Sequence, residues 1–296
     1  MQTLFPNYYD KFCCIADKCK HSCCIGWEID IDEDTMQLYD NLDGEIGERI
    51  RKNIEGEPPH FILGEKDRCP FLNEKGLCDI ILECGDGAIC DICYLHPRFI
   101  NTYSSFEEMG IGLCCEEAVH LILTQTELFS IDMPSEFNDD EKVFFQKRRE
   151  IFDILQCRRK NIKSRFDELA GKFGFEFDFS LKQLSGLFLS LERLDENWTK
   201  EIEKLEGFSF DCSIFEDESF ELFFEQLAVY FVFRHLKGNN IESVLKFVLV
   251  SCWFIGALCA LNKADGAGFE KFYDIVRMYS SEIEYSEENT EVLMAV

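Results

Sequence analysis

The strongest constraint on how this chain can fold is a dense group of thiols near its beginning. The segment CCIADKCKHSCCIGW, residues 13–27, contains five cysteines, and twelve of the sixteen cysteines lie between Cys13 and Cys115. Such density indicates disulfides, a metal or iron–sulfur centre, or a reactive thiol. The opening residues MQTLFPNYYDKF show no basic segment followed by an apolar run, so no secretion signal is indicated. We therefore predict a cytoplasmic chain, in which structural disulfides are rare and clustered cysteines more often bind metal.

Composition narrows the class of protein and the partners that it can bind. The hydrophobic share of 46% and the 29 phenylalanines predict a folded core, because disordered chains have low hydrophobicity. The formal net charge of −27 disfavours nucleic acid and anionic membrane surfaces, both of which repel an acidic protein. We expect no nucleic-acid partner and no membrane partner, and we expect attraction to basic, lysine-bearing protein surfaces.

One apolar run raises the question of a membrane span. The segment FVLVSCWFIGALCAL, residues 247–261, is 15 residues long and is bounded by Lys246 and Lys263. A spanning helix needs about 20 apolar residues. The run is therefore interpreted as a buried helix of the protein core.

The chain divides into an irregular part and a helical part. Glycine, proline, aspartate and asparagine interrupt residues 1–130, whereas apolar residues at helical spacing dominate residues 131–296. We predict a cysteine-rich, cluster-binding region and a helical region, which can form one compact unit, with the boundary within SIDMPSEFNDDE. The fold class is expected to be mainly α, with the irregular segment and its metal or iron–sulfur centre packed on a helical body. Helices are predicted over residues 34–54, 116–129, 139–173, 181–204, 220–236, 241–262 and 269–283.

The spacing of the cysteines indicates a thiolate-bound centre without identifying its metal. Cys19 and Cys23 form C-x3-C, Cys90 and Cys93 form C-x2-C, and either pair could supply a zinc knuckle. The ferredoxin run C-x2-C-x2-C is absent. The C-x3-C-x2-C run of radical chemistry on S-adenosylmethionine is also absent, since Gly26 stands where its third cysteine would be. Zinc and an iron–sulfur cluster both remain open from spacing alone.

Four segments of the chain together resemble a known family. They read FCCIADKCKHSCCIGWEIDID, CPFLNEKGLC, CYLHPR and LCCEEAVHLIL, and they closely resemble the flagellin lysine-N-methylase family. This family belongs to a wider CxxxCxxCC group of zinc- or iron-chelating proteins. The resemblance is specific over residues 8–123, and the later segment AVYFVFRHL looks like the helical body of the family. The cysteines that fall on the family pattern are Cys14, Cys19, Cys23, Cys24, Cys69, Cys78, Cys93 and Cys115.

The resemblance implies an enzyme and its cofactors. It implies transfer of methyl groups from S-adenosylmethionine to lysine side chains of flagellin, or of another lysine-bearing protein. It also implies a [4Fe–4S] cluster bound by the cysteine-rich region, with zinc as the alternative metal. The matching cysteines exceed the four ligands of one cluster, and we expect one of Cys23 and Cys24 to bind while the other packs. The chain departs from the family at His96, where members carry an aromatic residue, and it looks shorter than typical members.

No catalytic residue or methyl-donor site is indicated by the residues themselves. Side chains that could orient the lysine amine are present, but no spacing distinguishes one of them. These candidates are Glu116, Glu117, Tyr94, Tyr8 and Tyr9. No G-x-G-x-x-G motif follows a predicted strand, so an ordinary Rossmann site is not expected. Two other classes of protein therefore stay open: a non-catalytic, metal-stabilised interaction module, and a redox or electron-transfer iron–sulfur protein.

Overall fold

A computed structural model describes residues 1–133, 138–175, 180–238 and 240–296, with the side chains of Asp139 and Asp140 excepted. The structure is 58% helical, which confirms the predicted, mainly α fold class. The strands are β1 (Gln2–Leu4), β2 (Ile54–Glu55), β3 (His60–Phe61), β4 (Arg98–Thr102) and β5 (Phe106–Ile111). The helices of the first half are α1 (Glu33–Asn41), α2 (Gly44–Lys52), α3 (Asp79–Cys84), α4 (Asp91–Leu95), α5 (Glu116–Leu123) and α6 (Asp139–Leu155). Those of the second half are α7 (Ile162–Phe173), α8 (Leu181–Ser190), α9 (Glu196–Glu203), α10 (Glu221–His235), α11 (Ile241–Ala264), α12 (Phe269–Tyr279), a π-helical turn (Ser280–Glu284) and α13 (Glu287–Met294).

Two long predicted helices are each interrupted by a turn, so their predicted extent is wrong. The helix expected over residues 34–54 divides into α1 and α2, because Gly44 adopts a φ of +87°, which a continuous helix excludes. The helix expected over residues 139–173 divides into α6 and α7. There the side chain of Asn161 accepts a hydrogen bond from the first turn of α7 and starts a new helix. Apolar spacing alone does not reveal these local interruptions.

A third predicted helix is also divided. The helix expected over residues 181–204 consists of α8 and α9, and the side chain of Asp195 caps α9. The predicted break KGNN includes Asn239, which lies outside the described residues, while the side chain of Asn240 caps α11. The boundary predicted within SIDMPSEFNDDE includes residues 134–137, which also lie outside them.

The described chain forms two compact units. One unit is Cys13–Phe99, called the cysteine unit below because it contains ten of the sixteen cysteines. The other, called the helical unit, combines Met1–Phe12 with Ile100–Val296 and contains α5 to α13. The domain boundary that the sequence predicts near residue 130 stays a prediction.

The cysteine unit is built around a small apolar core. The rings of Phe61 and Phe71 pack edge to face, with their centroids 4.9 Å apart. The hydroxyl of Tyr39 donates a hydrogen bond to the carbonyl oxygen of Ala88 at 2.8 Å. The buried residues of this core include Ile29, Ile31, Tyr39, Ile50, Phe61, Phe71, Cys69 and Cys90. Two cysteines are therefore part of the core.

The helical unit is organised around α10 and α11, whose side chains are mostly buried. Among the described residues, α11 is the one helix long and apolar enough to cross a membrane, and 78% of its most apolar window is buried inside the structure. Phe254 of α11 stacks on Phe188 of α8, with ring centroids 3.8 Å apart. This packing agrees with the predicted core helix. Strand β1 pairs in parallel with β5 in a small sheet ordered β1-β5-β4.

Candidate functional site

Four of the predicted ligand cysteines lie around the core of the cysteine unit. Cys69 is buried within this core, and Cys24, Cys78 and Cys93 pack against it. Cys90, which the family pattern does not include, is also in this core, with 1% of its surface exposed. These five cysteines are called the thiol group below.

Backbone hydrogen bonds and a local turn hold three of these thiols in place. The N–H of Cys69 donates to the carbonyl oxygen of Cys24 at 2.9 Å. The segment CPFLNEKGLC then folds back on itself, since Leu72 forms a β-bridge with Cys78. The side-chain oxygen of Asn73 accepts hydrogen bonds from two backbone N–H groups of the intervening turn. The motif therefore brings its two cysteines together through ordinary turn chemistry.

Hydrogen bonds, burial and mutual charge shift the pKa values of these thiols. A hydrogen bond from the Cys23 thiol lowers the pKa of Cys24 to about 7, although burial opposes this effect. Burial raises the pKa of Cys69 to about 12, and charge on Cys24 and Cys78 adds to the rise. Thiolates at these positions repel one another, so a bound cation would stabilise them together.

The C-x2-C pair completes the thiol group. A hydrogen bond from Cys93 lowers the pKa of Cys90 against the effect of burial, and the same bond raises the pKa of Cys93. The Tyr39 hydroxyl lies 3.7 Å from Cys90 Sγ. Charge on Cys24 and Cys69 further raises the pKa of Cys93, so the pair lies within electrostatic range of the other thiols. Cys90 is absent from the predicted ligand set, although its C-x2-C spacing was a signal for it.

In the chemistry of its donor atoms, the thiol group fits a thiolate-bound metal or cluster. Soft sulfur ligands select zinc and iron–sulfur clusters, and four thiolates satisfy either. The surrounding chain consists of short helices and turns, and such a region gains order when a metal joins its segments. The donor set fits both centres that the sequence suggests, zinc and a [4Fe–4S] cluster.

The other four predicted ligands lie outside the thiol group. Cys14 and Cys23 are exposed, and Cys19 is partly buried. Cys115 belongs to the helical unit, where it is partly buried and directly precedes α5. Their role as ligands stays a prediction.

A second candidate site surrounds the buried carboxylate of Glu284 in the helical unit. The side chain of Glu284 is fully buried at the end of the π-helical turn. His235 Nε2 lies 2.7 Å from Glu284 Oε1, and the Tyr230 hydroxyl donates to Oε2 at 3.1 Å. Arg234 Nε lies 3.4 Å from Oε1. We call these four residues the buried polar network; π-helical turns of this kind occur frequently at functional sites.

The network extends to the cysteines that precede α5. Arg234 donates to the Tyr230 hydroxyl at 2.8 Å and lies over the ring of Tyr285, 4.8 Å from its centroid. Cys114 Sγ donates to the Tyr285 hydroxyl at 3.0 Å. Cys114 is the neighbour of Cys115, so the network supports the loop that carries this predicted ligand. The sequence analysis does not predict the network. The available signal was the Arg-His pair near the end of the largely apolar segment AVYFVFRHL.

The charges of the network follow from its burial and its internal pairing. Burial alone would raise the pKa of Glu284, but the Arg234 charge and the His235 hydrogen bond lower it below its usual range. Burial lowers the pKa of His235, although Glu284 opposes this effect. At neutral pH the network therefore contains an ionised glutamate and arginine and a neutral histidine.

The residues considered as aids to amine deprotonation differ in accessibility. Tyr8 is 1% exposed, so the lysine of a protein substrate cannot reach it. The Tyr9 hydroxyl donates to Met109 Sδ at 2.9 Å. Tyr94 is 59% exposed. Two partly exposed carboxylates, those of Glu116 and Glu117, lie in the first turn of α5.

The fold and the thiol group define a mainly helical, cysteine-rich protein with a candidate thiolate centre. The chain is similar to lysine-N-methylase of Salmonella typhimurium, at 25% identity over 134 residues, which cover 43% of this chain and 33% of the relative. It is also similar to flagellar biosynthetic protein FliU of Salmonella muenchen, at 26% identity over 141 residues, which cover 45% of this chain and 83% of the relative. No family model matches the chain, and no solved structure matches it.

These relatives confirm the resemblance to lysine-N-methylases that the sequence predicts. The lysine-N-methylase of Salmonella choleraesuis matches equally, at 25% identity over 134 residues. The matched region spans about a third of the length of both lysine-N-methylases. The activity, substrates and partners of those whole proteins are therefore proposals for this chain.

Proposed function

We propose that this chain is a protein-lysine N-methyltransferase that transfers methyl groups from S-adenosylmethionine to flagellin. The observation that carries the proposal is the similarity to relatives named lysine-N-methylase, and the FliU relative adds the flagellar context. The net charge of −27 supports it, because an acidic surface attracts lysine-bearing partners. The proposed location is the cytoplasm, where thiols stay reduced.

The thiol group would hold the proposed [4Fe–4S] cluster. Cys24, Cys69, Cys78 and Cys93 offer four thiolates, the number that one cluster takes, and Cys90 lies beside them. When bound, such a cluster supplies one-electron chemistry and joins the segments that ligate it. Zinc is the alternative, with the same sulfur ligands. Iron, sulfide and zinc contents of protein purified without oxygen distinguish the two centres.

The proposed reaction requires binding, orientation and the removal of one proton. The lysine amine must be neutral when it attacks the methyl carbon, and its new N–C bond forms as the C–S bond of the donor breaks. A carboxylate near the amine, or a tyrosine in its phenolate form, can accept the ammonium proton beforehand. The accessible candidates on this chain are Glu116, Glu117 and Tyr94.

The test is a methylation assay on purified flagellin with S-adenosylmethionine and the full chain, purified without oxygen. Mass spectrometry then locates methyl-lysine on the flagellin, which we expect from the wild-type protein. Cys69→Ser should abolish both cluster content and methylation, because it removes a buried proposed ligand. Cys13→Ser changes an exposed thiol outside the thiol group and should leave both unchanged. Cluster-loaded wild-type protein that leaves flagellin unmethylated would contradict the proposal.

Binding to a flagellar protein without methyl transfer is the second candidate function. The name of the FliU relative favours it, because that name states flagellar biosynthesis and no reaction. The two candidates differ in donor binding, and a ligand that binds only the native state raises its Tm. A Tm that rises with S-adenosylmethionine supports the methyltransferase. Flagellin binding with an unchanged Tm supports the interaction module.

A further inference from the structure

Three metal-binding side chains, none of them a cysteine, converge on the surface of the cysteine unit. Glu28, Asp30 and His60 each offer one ligand atom, and these atoms all lie within 4.8 Å of one another. Glu28 and Asp30 are exposed, and His60 is partly buried. The proposed methyl transfer does not use them. Carboxylate oxygens together with an imidazole nitrogen are a donor set that binds divalent transition metals.

The backbone directs these side chains to one face. Asp30 forms an antiparallel β-bridge with His60, and backbone hydrogen bonds of 2.9 and 3.1 Å flank the bridge. Ile29 and Ile31 are buried in the core, with 1% and 4% of their surfaces exposed. Because side chains alternate along an extended segment, Glu28 and Asp30 must lie on its other, solvent-exposed face. The packing of the core therefore positions the two carboxylates.

The imidazole of His60 is oriented as a metal ligand. Its Nδ1 lies 3.1 Å from the carbonyl oxygen of Pro58, which can only accept, so Nδ1 carries the proton. Nε2 is therefore the ring nitrogen that can offer a lone pair to a metal, and it lies 3.7 Å from Glu28 Oε2. That separation is too long for a hydrogen bond, whereas two ligands each ~2.1 Å from one metal lie roughly 3.4 Å apart in tetrahedral geometry. In metal-binding histidines, the second ring nitrogen usually donates a hydrogen bond to a carbonyl or carboxylate oxygen, and this bond fixes the orientation of the ring.

Gly56 leaves the space that this imidazole occupies. Its φ is +82°, and a Cβ at this position would lie 2.2 Å from His60 Cε1. Any larger residue would therefore strain the backbone and displace the ring. The turn before β3 accommodates this orientation of the imidazole because its residue is glycine.

We propose that Glu28, Asp30 and His60 bind one divalent transition-metal ion, with water completing its coordination. Two carboxylates neutralise the charge of the ion, and the net charge of −27 favours a cation at this surface. The alternative is a plain ion pair between His60 and Glu28. That pair needs a protonated imidazole, and it contributes little because the Glu28 side chain is 63% exposed. The ion connects two segments: the one after Cys24, which carries both carboxylates, and β3, which begins at His60. It therefore stabilises the cysteine unit.

The test uses Mn2+ as the probe, because oxygen and nitrogen ligands bind it whereas thiolates select softer ions. Unbound Mn2+ is measured by electron paramagnetic resonance during titration of the full chain, purified without oxygen, at physiological ionic strength. We expect one site per chain. Asp30→Asn and His60→Gln should each weaken it at least ~10-fold, since even the loss of a supporting group costs about 10–100-fold in metal affinity.

The controls separate ligation from general charge. Asp40→Asn removes one negative charge from an exposed residue of α1 and should leave the Mn2+ affinity unchanged. His60→Gln removes a ligand and leaves both carboxylates in place, and circular dichroism checks that each variant is folded. Absence of a Mn2+ site in the wild type, equal affinity in all four proteins, or equal weakening by Asp40→Asn would overturn the proposal. None of these outcomes depends on methyltransferase activity.

Discussion

At the scale of single residues, the buried charge of Glu284 depends on one cationic partner. Glu284 is fully buried, and Arg234 beside it is 10% exposed. Glu284→Gln leaves the arginine buried without its counter-charge, so the free energy of unfolding should fall by about 3–5 kcal/mol. Urea denaturation of the full chain measures this loss. The control, Glu242→Gln, breaks an exposed ion pair with Lys246 on α11 and should change stability little; equal losses in both variants would contradict the prediction.

His235 makes the stability of the same network depend on pH. Burial lowers its pKa below the usual value of 6.5, so below that pH the unfolded chain takes up a proton that the folded chain does not. The stabilising contribution of the neutral histidine is therefore present above pH 6.5 and is lost as the pH falls. Glu284 acts in the same direction in acid. Its contribution to the free energy of unfolding is present above pH 4.5, the ordinary pKa of its carboxyl group in the unfolded chain. This contribution is lost as the pH falls through the lowered pKa of the folded state.

Replacement of His235 should flatten this pH dependence. His235→Gln removes the titrating group, so the decrease in unfolding free energy between pH 7 and pH 5 should become smaller by up to ~1.4 kcal/mol per pH unit. Denaturant titrations at several pH values give the slope. His120→Gln, at an exposed residue of α5, is the matched control and should keep the wild-type slope. A wild-type slope in His235→Gln would show that burial of this histidine does not control the pH dependence.

At the scale of elements, α11 packs closely because it contains a glycine opposite an aromatic ring. A Cβ at Gly256 would lie 2.6 Å from Phe215 Cζ, so Gly256→Ala must displace that ring. Overpacking of this kind costs about 1–3 kcal/mol. Gly186→Ala on α8 is the matched control, because nothing lies within 4 Å of its added Cβ, and it should gain up to ~1 kcal/mol from helix propensity. Thermal unfolding of both variants checks the pair, and stabilisation by both would show that α11 is not packed in this way.

The extents of the helices illustrate what local patterns leave out. Apolar residues recur at helical spacing through residues 34–54 and 181–204, which is why each was predicted as one helix. Both segments contain interruptions that depend on single residues. Gly44 adopts a left-handed conformation, and the side chain of Asp195 caps a new helix. Periodicity identifies the type of element but does not find its ends.

At the scale of the whole molecule, the two units should respond differently to loss of bound metal. The core of the cysteine unit is small and includes cysteines, whereas the helical unit has a large aromatic core around α10 and α11. Removal of metal should therefore reduce amide hydrogen-exchange protection across Cys13–Phe99 and leave protection in α10 and α11 largely intact. Mass spectrometry of the full chain before and after chelation measures both. Unchanged protection in the cysteine unit would show that its fold does not require a metal.

Local patterns in the amino-acid sequence were sufficient to predict the mainly α fold class and the apolar core helix, and to identify the concentration of thiols. Each of these depends on residues that are close in the chain, through helical spacing, the length of one apolar run, or cysteine density. The resemblance to lysine-N-methylases also came from short cysteine motifs, and the relatives confirm it.

Tertiary structure decided which of these residues meet. Cys24, Cys69, Cys78 and Cys93 gather at one core, and Cys90 joins them. The partners of Glu284 come from a different helix, and the three ligands of the proposed cation site come from two segments joined by a β-bridge. Contacts of this kind depend on how distant segments pack, and the spacing of residues within one short motif does not show which other segments it will meet.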